Sequence, residues 1–145
     1  MIRVADYIAQ RVADLGVDRL FMLTGGGAMH LNDAFGAEKR LKVVCNHHEQ
    51  ACAMAAEGYA RISGKPGVIN VTTGPGGINA LNGVYGAFTD SIPMLVFSGQ
   101  VKREIYKGYF PLPELRQLGD QETDIISIVK SVTKYAETVF DPNRI

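Results

Sequence analysis

Val68-Ile69-Asn70-Val71-Thr72-Thr73-Gly74-Pro75-Gly76-Gly77-Ile78-Asn79 carries a short apolar run into a glycine turn and then into a neutral stretch, Ile78 to Phe88, that reads as a helix. Strand, glycine turn and helix in that order form the repeating unit of parallel sheets. The same unit recurs upstream. Leu20 to Leu23 reads as a strand, Thr24-Gly25-Gly26-Gly27 as a turn, and about Ala28 to Phe35 as a helix. Leu41 to Cys45 followed by His48 to Ile62 makes another pair, stopped by Ser63-Gly64-Lys65-Pro66. Val4, Ile8, Val12 and Leu15 recur at helical spacing and predict an opening helix over 3–15, ended by Gly16. Met94 to Ser98 predicts a fourth strand.

Repeated units of this kind imply right-handed crossovers, and so an α/β fold in which a parallel sheet carries helices on both faces. The loops at the carboxyl ends of the strands are where ligands bind in such sheets. Thr24 to Ala28, Asn46 to Gln50, Thr72 to Asn79 and Ser98 to Gln100 should therefore gather at one edge. Beyond Gln100 the alternation fades. Residues 102–120 mix charge, Tyr, Phe and two Pro into a long excursion of the kind that is usually functional or flexible. Asp124 to Val129 predicts a short helix and Tyr135 to Val139 a last strand, and Asp141-Pro142-Asn143-Arg144-Ile145 is a helix-start signature.

The composition fits one soluble domain of 145 residues, 46% hydrophobic and 21% charged. Fifteen Lys and Arg balance fifteen Asp and Glu, which leaves no basic field for nucleic acid or an anionic membrane. The longest apolar run, Ile92 to Phe97, falls far short of the roughly 20 residues that span a bilayer. The first residues lack a signal peptide's apolar core, and two Cys make no disulfide scaffold, so the cytoplasm is the expected compartment.

Charge is unevenly placed. Between Pro66 and Val101 the only charged side chain is Asp90, and between Val43 and Ala56 it is Glu49. A buried charge is costly unless paired or hydrogen-bonded, so each of these carboxylates needs a defined partner or a surface turn. The glycine loops invite a nucleotide reading that their details refuse. Asn79 stands where the dinucleotide fingerprint needs its third glycine, and Ala28-Met29-His30 replaces the Lys-Ser or Lys-Thr of a phosphate-binding loop. Both loops are bare and uncharged, as if a flat neutral group approached the backbone. Cys45, His47, His48 and Cys52 lack the spacing of a zinc site, and no Gly-x-Ser-x-Gly nucleophile motif occurs. The paired histidines fit either a substrate contact or a helix cap. Glu49 is the strongest local signal, because it opens a neutral helix where the helix dipole favours an anion and apolar walls oppose one. Such opposed forces can suit a carboxylate for proton transfer, although an ordinary first-turn glutamate has the same local sequence.

Taken together, Asn46-His47-His48-Glu49-Gln50-Ala51, Glu57-Gly58-Tyr59-Ala60-Arg61, Thr72 to Asn79 and Asp90-Ser91-Ile92-Pro93-Met94 resemble the N-terminal, pyrimidine-binding domain of thiamine diphosphate enzymes, most closely the acetolactate synthase large-subunit group. The likeness extends from the first helix to Lys134-Tyr135. It implies that Glu49 hydrogen-bonds N1′ of the cofactor's aminopyrimidine and favours the imino tautomer that takes the thiazolium C2 proton, with decarboxylation or ligation of a pyruvate-like 2-oxo acid as the outcome. By the same likeness Gly25, Gly26, Thr72, Pro75, Gly76 and Asn79 would line the cofactor, Gly26, Ala28, His48 and Gln100 the substrate, and Gln121 would face the reacting centre beside Glu49 as a second catalytic residue.

The resemblance has departures. Asp120 precedes Gln121 where an aromatic residue is usual, residues 102–119 form a longer segment than in the biosynthetic enzymes, and His47 replaces the usual residue of its pair. The choice of 2-oxo acid therefore stays open. The family's Gly-Asp-Gly segment and downstream Asn, which hold diphosphate and Mg2+, are absent from these residues. The expectation is that residues 1–145 are a pyrimidine-binding domain lacking its last helix and strand, part of a longer subunit with central and diphosphate-binding domains, inactive in isolation, and with FAD a further candidate cofactor. A homodimer or homotetramer is expected through the neutral surface of the helix from Ile78 to Phe88. Two other readings stay open: the pyrimidine-binding subunit of a split 2-oxo acid decarboxylase, and a non-catalytic interaction module of the same fold.

Overall fold

The computed structural model describes residues 1–111 and 113–145. Among these residues five helices, α1 (Val4–Asp14), α2 (Met29–Ala37), α3 (Glu49–Ser63), α4 (Pro75–Thr89) and α5 (Ile125–Val129), alternate at first with four strands, β1 (Arg19–Met22), β2 (Lys42–Cys45), β3 (Gly67–Val71) and β4 (Met94–Ser98). All strand pairs are parallel, in the order β2-β1-β3-β4. The α/β fold expected from the alternating units is therefore present, with helices on both faces of the sheet.

Period-two alternation along the strands sorts side chains between two cores. Leu20, Met22 and Val68 face α1 and α2, where they pack with Ala9, Val12 and Phe35. Phe21, Ile69 and Val71 face α3 and α4, where they meet Cys52, Ala53, Ala56, Ala80 and Val84. β3 is central and buried at every position, which explains its unbroken apolar character apart from Asn70.

Small residues bring the second layer together. A Cβ on Gly83 would stand 2.5 Å from that of Ala53, so α3 and α4 meet with almost no side chain between them. Gly64 closes α3 in the left-handed conformation, at φ +69°. α4 begins at Pro75, three residues before the expected Ile78, because proline is well suited to the first helical position.

Tyr135 to Val139 does not form the expected strand. A strand needs a neighbour for its backbone groups. This segment instead delivers Phe140 against Tyr106 and Tyr109, with the Arg103 guanidinium 4.4 Å from the Tyr109 ring centre. The excursion after Gln100 is thus held by side-chain stacking rather than by a ladder. It contains two single 3₁₀ turns, Arg103–Ile105 and Lys107–Tyr109. The helix-start signature near the end yields only a 3₁₀ turn at Pro142–Arg144, capped by Asp141. Among the described residues, no helix is long and apolar enough to cross a membrane.

Candidate functional site

The four loops after the strands converge as the fold requires, and glycine lets them touch. A Cβ on Gly25 would fall 2.4 Å from Cβ of Thr72, and one on Gly27 would fall 1.9 Å from Oγ1 of Thr73. Gly99, just beyond β4, faces the carbonyl oxygen of Gly27 in the same way, at 2.4 Å. The amide of Gly27 donates to Thr72 Oγ1 at 3.1 Å, which ties the first glycine loop to the end of β3.

Glu49 is the first residue of α3 and only 6% exposed. Its Oε2 accepts a hydrogen bond from Asn79 Nδ2 at 3.0 Å, across from the second turn of α4. Among the described residues Oε1 has no hydrogen-bond partner, and no cation pairs with this carboxylate. Gly76 keeps the space beside it open, since a Cβ there would stand 3.5 Å from Oε1 and 2.8 Å from Cγ2 of Thr72. A carboxylate taken out of water needs donors. Here it has one amide and the positive end of α3, and one lone oxygen aimed where a flat group could lie between bare loops.

The other expected residues divide. Thr72, Gly25, Gly76, Asn79 and Glu49 come together, Pro75 opens α4 at the same place, and Gly26 stands in the first loop with open space beside it. Ala28 is buried at the end of the 3₁₀ turn Gly26–Ala28, directly before α2. His48 caps α3: its Nδ1 accepts from the amide of Gln50 at 3.1 Å. The capping alternative left open for the histidine pair is thus the contact His48 makes, while His47 is exposed. Gln100 uses its amide on the backbone, donating to the carbonyl of Thr123 at 2.9 Å and accepting from the amide of Val101 at 3.0 Å. That contact draws the end of the excursion over the site, and Gln121 arrives with its backbone against Gly74 and its side chain exposed.

Asp90, the other isolated carboxylate, serves packing rather than chemistry. The Arg61 guanidinium on α3 bridges it to Glu57, with the Glu57 contact at 2.5 Å. Sequence reasoning passed over Asn32 and Asn70. The amide of Asn70, fully buried in β3, donates to Asn32 Oδ1 at 2.6 Å, and Asn32 Nδ2 donates to the carbonyl of Gly25 at 3.3 Å. The available signal was a single amide inside the apolar run from Val68 to Val71.

Burial pushes the Cys52 thiol up to about 11, above the ordinary range of a cysteine. Among the described residues, no three His, Cys, Asp or Glu side chains gather as a metal site. A cavity of about 620 Å3 lies in the excursion between Tyr106, Phe110, Arg116 and Glu122 rather than beside Glu49. Desolvation works to raise the Glu122 carboxyl, yet the amides of Gly119 and Leu118 outweigh it and hold the group below its usual range.

Residues 2–128 match the family model described as thiamine pyrophosphate enzyme, N-terminal TPP binding domain. The chain is 36% identical over 140 residues to acetolactate synthase, chloroplastic, of Arabidopsis thaliana, covering 94% of this chain and 19% of that protein. It is 40% identical over 129 residues to the acetolactate synthase large subunit of Lactococcus lactis, covering 88% and 21%. With the mitochondrial acetolactate synthase catalytic subunit of Saccharomyces cerevisiae the identity is 40% over 119 residues, covering 82% and 16%. The chain thus spans about a fifth of the length of the curated relatives it matches.

Proposed function

This chain belongs to the thiamine pyrophosphate enzyme N-terminal TPP binding domain family, and from that premise we propose that it supplies the cofactor-activating half-site of an acetolactate synthase-like carboligase or decarboxylase acting on pyruvate-like 2-oxo acids. The observation that carries the reading is the buried Glu49 carboxylate, with Oε2 held by Asn79 and Oε1 left open beside Gly76.

The residues present fit an aminopyrimidine. Oε1 is an acceptor for a ring N–H; Gly26, with open space beside it, and Gly76, which puts no side chain against Oε1, leave room for a flat, neutral ring. When bound, thiamine diphosphate supplies a thiazolium carbon that adds to the carbonyl of the 2-oxo acid and a ring that takes up the electron pair released with CO2. Glu49 holds a proton at the ring nitrogen. Asn79 fixes the carboxylate plane, and Thr72 and Gly76 shape the wall beside it. The exposed carboxamide of Gln121 is free to reach the reacting carbonyl once substrate is bound, and Gln100 anchors the neighbouring segment through Thr123. Ala28, Gly26 and His48 border the substrate side.

We assign the diphosphate and Mg2+ to residues outside those described, and FAD to the same place if it is used. The apolar side chains exposed on α4, Ile78, Tyr85 and Phe88, favour pairing with a second subunit as a homodimer or homotetramer. Two free cysteines, Cys45 and Cys52, suit a reducing, cytoplasmic compartment.

The test is proton exchange at C2 of thiamine diphosphate bound to the protein that carries this domain. Glu49→Gln keeps the size and the Asn79 contact. It should slow exchange by about 10²-fold or more, the usual contribution of a positioned proton-transfer group, with the melting temperature nearly unchanged. Exchange at the unaltered rate would remove Glu49 from the mechanism.

A further inference from the structure

Asn70 is an anomaly in the central strand. It is fully buried on the face that packs against α1 and α2, among Met22, Val68 and Phe35, and its Oδ1 has no hydrogen-bond partner among the described residues. A half-satisfied amide at such a position is worse for stability than an apolar side chain of the same shape. What it gains is a connection. Its Nδ2 donates to Asn32 Oδ1 at 2.6 Å and lies 3.8 Å from the Met22 sulfur, and Asn32 Nδ2 reaches the Gly25 carbonyl at 3.3 Å.

That carbonyl also receives the Ala28 amide at 3.1 Å, closing the 3₁₀ turn that leads into α2. Two residues on, the Gly27 amide is held from the other side by Thr72 Oγ1. The glycine loop is therefore gripped at both ends, from one layer of the fold through Asn32 and from the end of β3 through Thr72. Both grips originate in β3 or directly after it. A run of three glycines has no side chains of its own to fix its position, and glycine loses more conformational freedom on ordering than any other residue.

We propose that Asn70 and Asn32 form a positioning relay that sets the depth of the glycine loop 25–27 in the active site. Neither residue touches the reacting groups; both act through the Gly25 carbonyl. The relay rests on the reading of the site as a thiamine diphosphate half-site only for its consequence in turnover, because the clamp itself is a property of the loop. Displacement of a binding wall by about 1 Å is enough to lower turnover by two orders of magnitude.

The experiment compares three proteins carrying this domain: wild type, Asn32→Ala, and the double variant Asn32→Leu with Asn70→Leu, which removes both amides at once and leaves none buried alone. Amide hydrogen exchange is measured at Gly26, Gly27 and Ala28 and, as an internal reference, along β3. Loop exchange at least tenfold faster with β3 unchanged is the expected result in both variants. The second readout is pyruvate turnover against C2 exchange of the bound cofactor. kcat/KM for pyruvate should fall at least tenfold while C2 exchange stays within threefold, since the Glu49 and Asn79 contact is untouched.

Loop exchange within twofold of wild type in folded Asn32→Ala overturns the relay. So does faster loop exchange with pyruvate kcat/KM unaltered, which would make the clamp structural only. Asn32 is half-buried on α2, so Asn32→Ala decides the matter even if the double variant fails to fold. A wild-type protein without thiamine diphosphate-dependent turnover of any 2-oxo acid would instead defeat the functional reading, and hydrogen exchange would still decide the clamp.

Discussion

The carbonyl oxygen of Gln121 lies 2.1 Å from the point that a Cβ on Gly74 would occupy, and both residues have positive φ, +56° and +58°. Two segments separated by more than forty residues meet through bare backbone at the mouth of the site. Gly74→Ala therefore meets both backbone strain and a steric clash with a main-chain atom, which cannot swing away as a side-chain tip can. The expected outcome is a loss of more than about 1 kcal/mol of stability together with displacement of Gln121, read as a lower melting temperature and at least a tenfold fall in 2-oxo acid turnover.

Gln121→Gly separates backbone from side chain. Glycine accepts the left-handed conformation without the Cβ penalty of about 1–2 kcal/mol, so thermal stability should hold or rise slightly. Turnover should fall if the carboxamide faces the reacting carbonyl. Steady-state kinetics beside a melting curve checks both halves.

Asn79→Leu removes the one side-chain donor to Glu49 Oε2 among the described residues. Leaving a buried acceptor without its donor costs about 1–3 kcal/mol. Both stability and C2 exchange should decline, whereas Asn79→Asp places a second carboxylate beside the first and should be the more damaging change. Calorimetry and proton exchange on the two variants rank them.

The two cysteines should react differently. Cys45 is exposed and Cys52 is fully buried, with its thiol pushed up to about 11 by desolvation. In the folded protein at pH 8 an alkylating reagent should label Cys45 alone, and Cys52 should react only after unfolding. Because the folded state keeps the Cys52 proton longer than the unfolded chain, its contribution to stability is complete below about pH 9 and declines as pH rises toward 11. Mass spectrometry of labelled protein and alkaline denaturation curves test these points.

α3 and α4 are joined in two ways of unequal weight. Gly83→Ala forces a methyl into the Ala53 contact and should cost about 1–3 kcal/mol, as overpacking does. Asp90→Ala breaks only the half-exposed bridge to Arg61 and should cost clearly less than Gly83→Ala, with an effect that fades in high salt. Urea denaturation at two ionic strengths distinguishes the two effects.

Periodicity was enough for the alternating part of the chain, because each of those elements buries a face of its own: Val4, Ile8 and Val12 make α1 amphipathic, and β3 is apolar since it lies in the middle of the sheet. It was not enough for Tyr135 to Val139. Whether a short β-prone segment becomes a strand depends on a neighbouring backbone, and here the aromatic side chains of Tyr106 and Tyr109 offered Phe140 a different partner. Glu49 stood out in the sequence because an isolated charge in a neutral stretch demands an explanation. Asn70 and Asn32 did not, since two amides 38 residues apart signal nothing until the sheet sets them side by side.

The order of amino acids by itself determined the α/β architecture, the gathering of the glycine loops at one edge and the singular position of Glu49, all of which follow from local patterns of polarity and backbone freedom. Only the folded chain decided which oxygen of Glu49 is engaged, that His48 caps a helix, that Gln100 holds Thr123, and that Asn70 reaches Gly25 through Asn32. Hydrogen-bond partners are chosen by distance and direction among groups far apart in the chain, and those exist only after the helices have packed on the sheet.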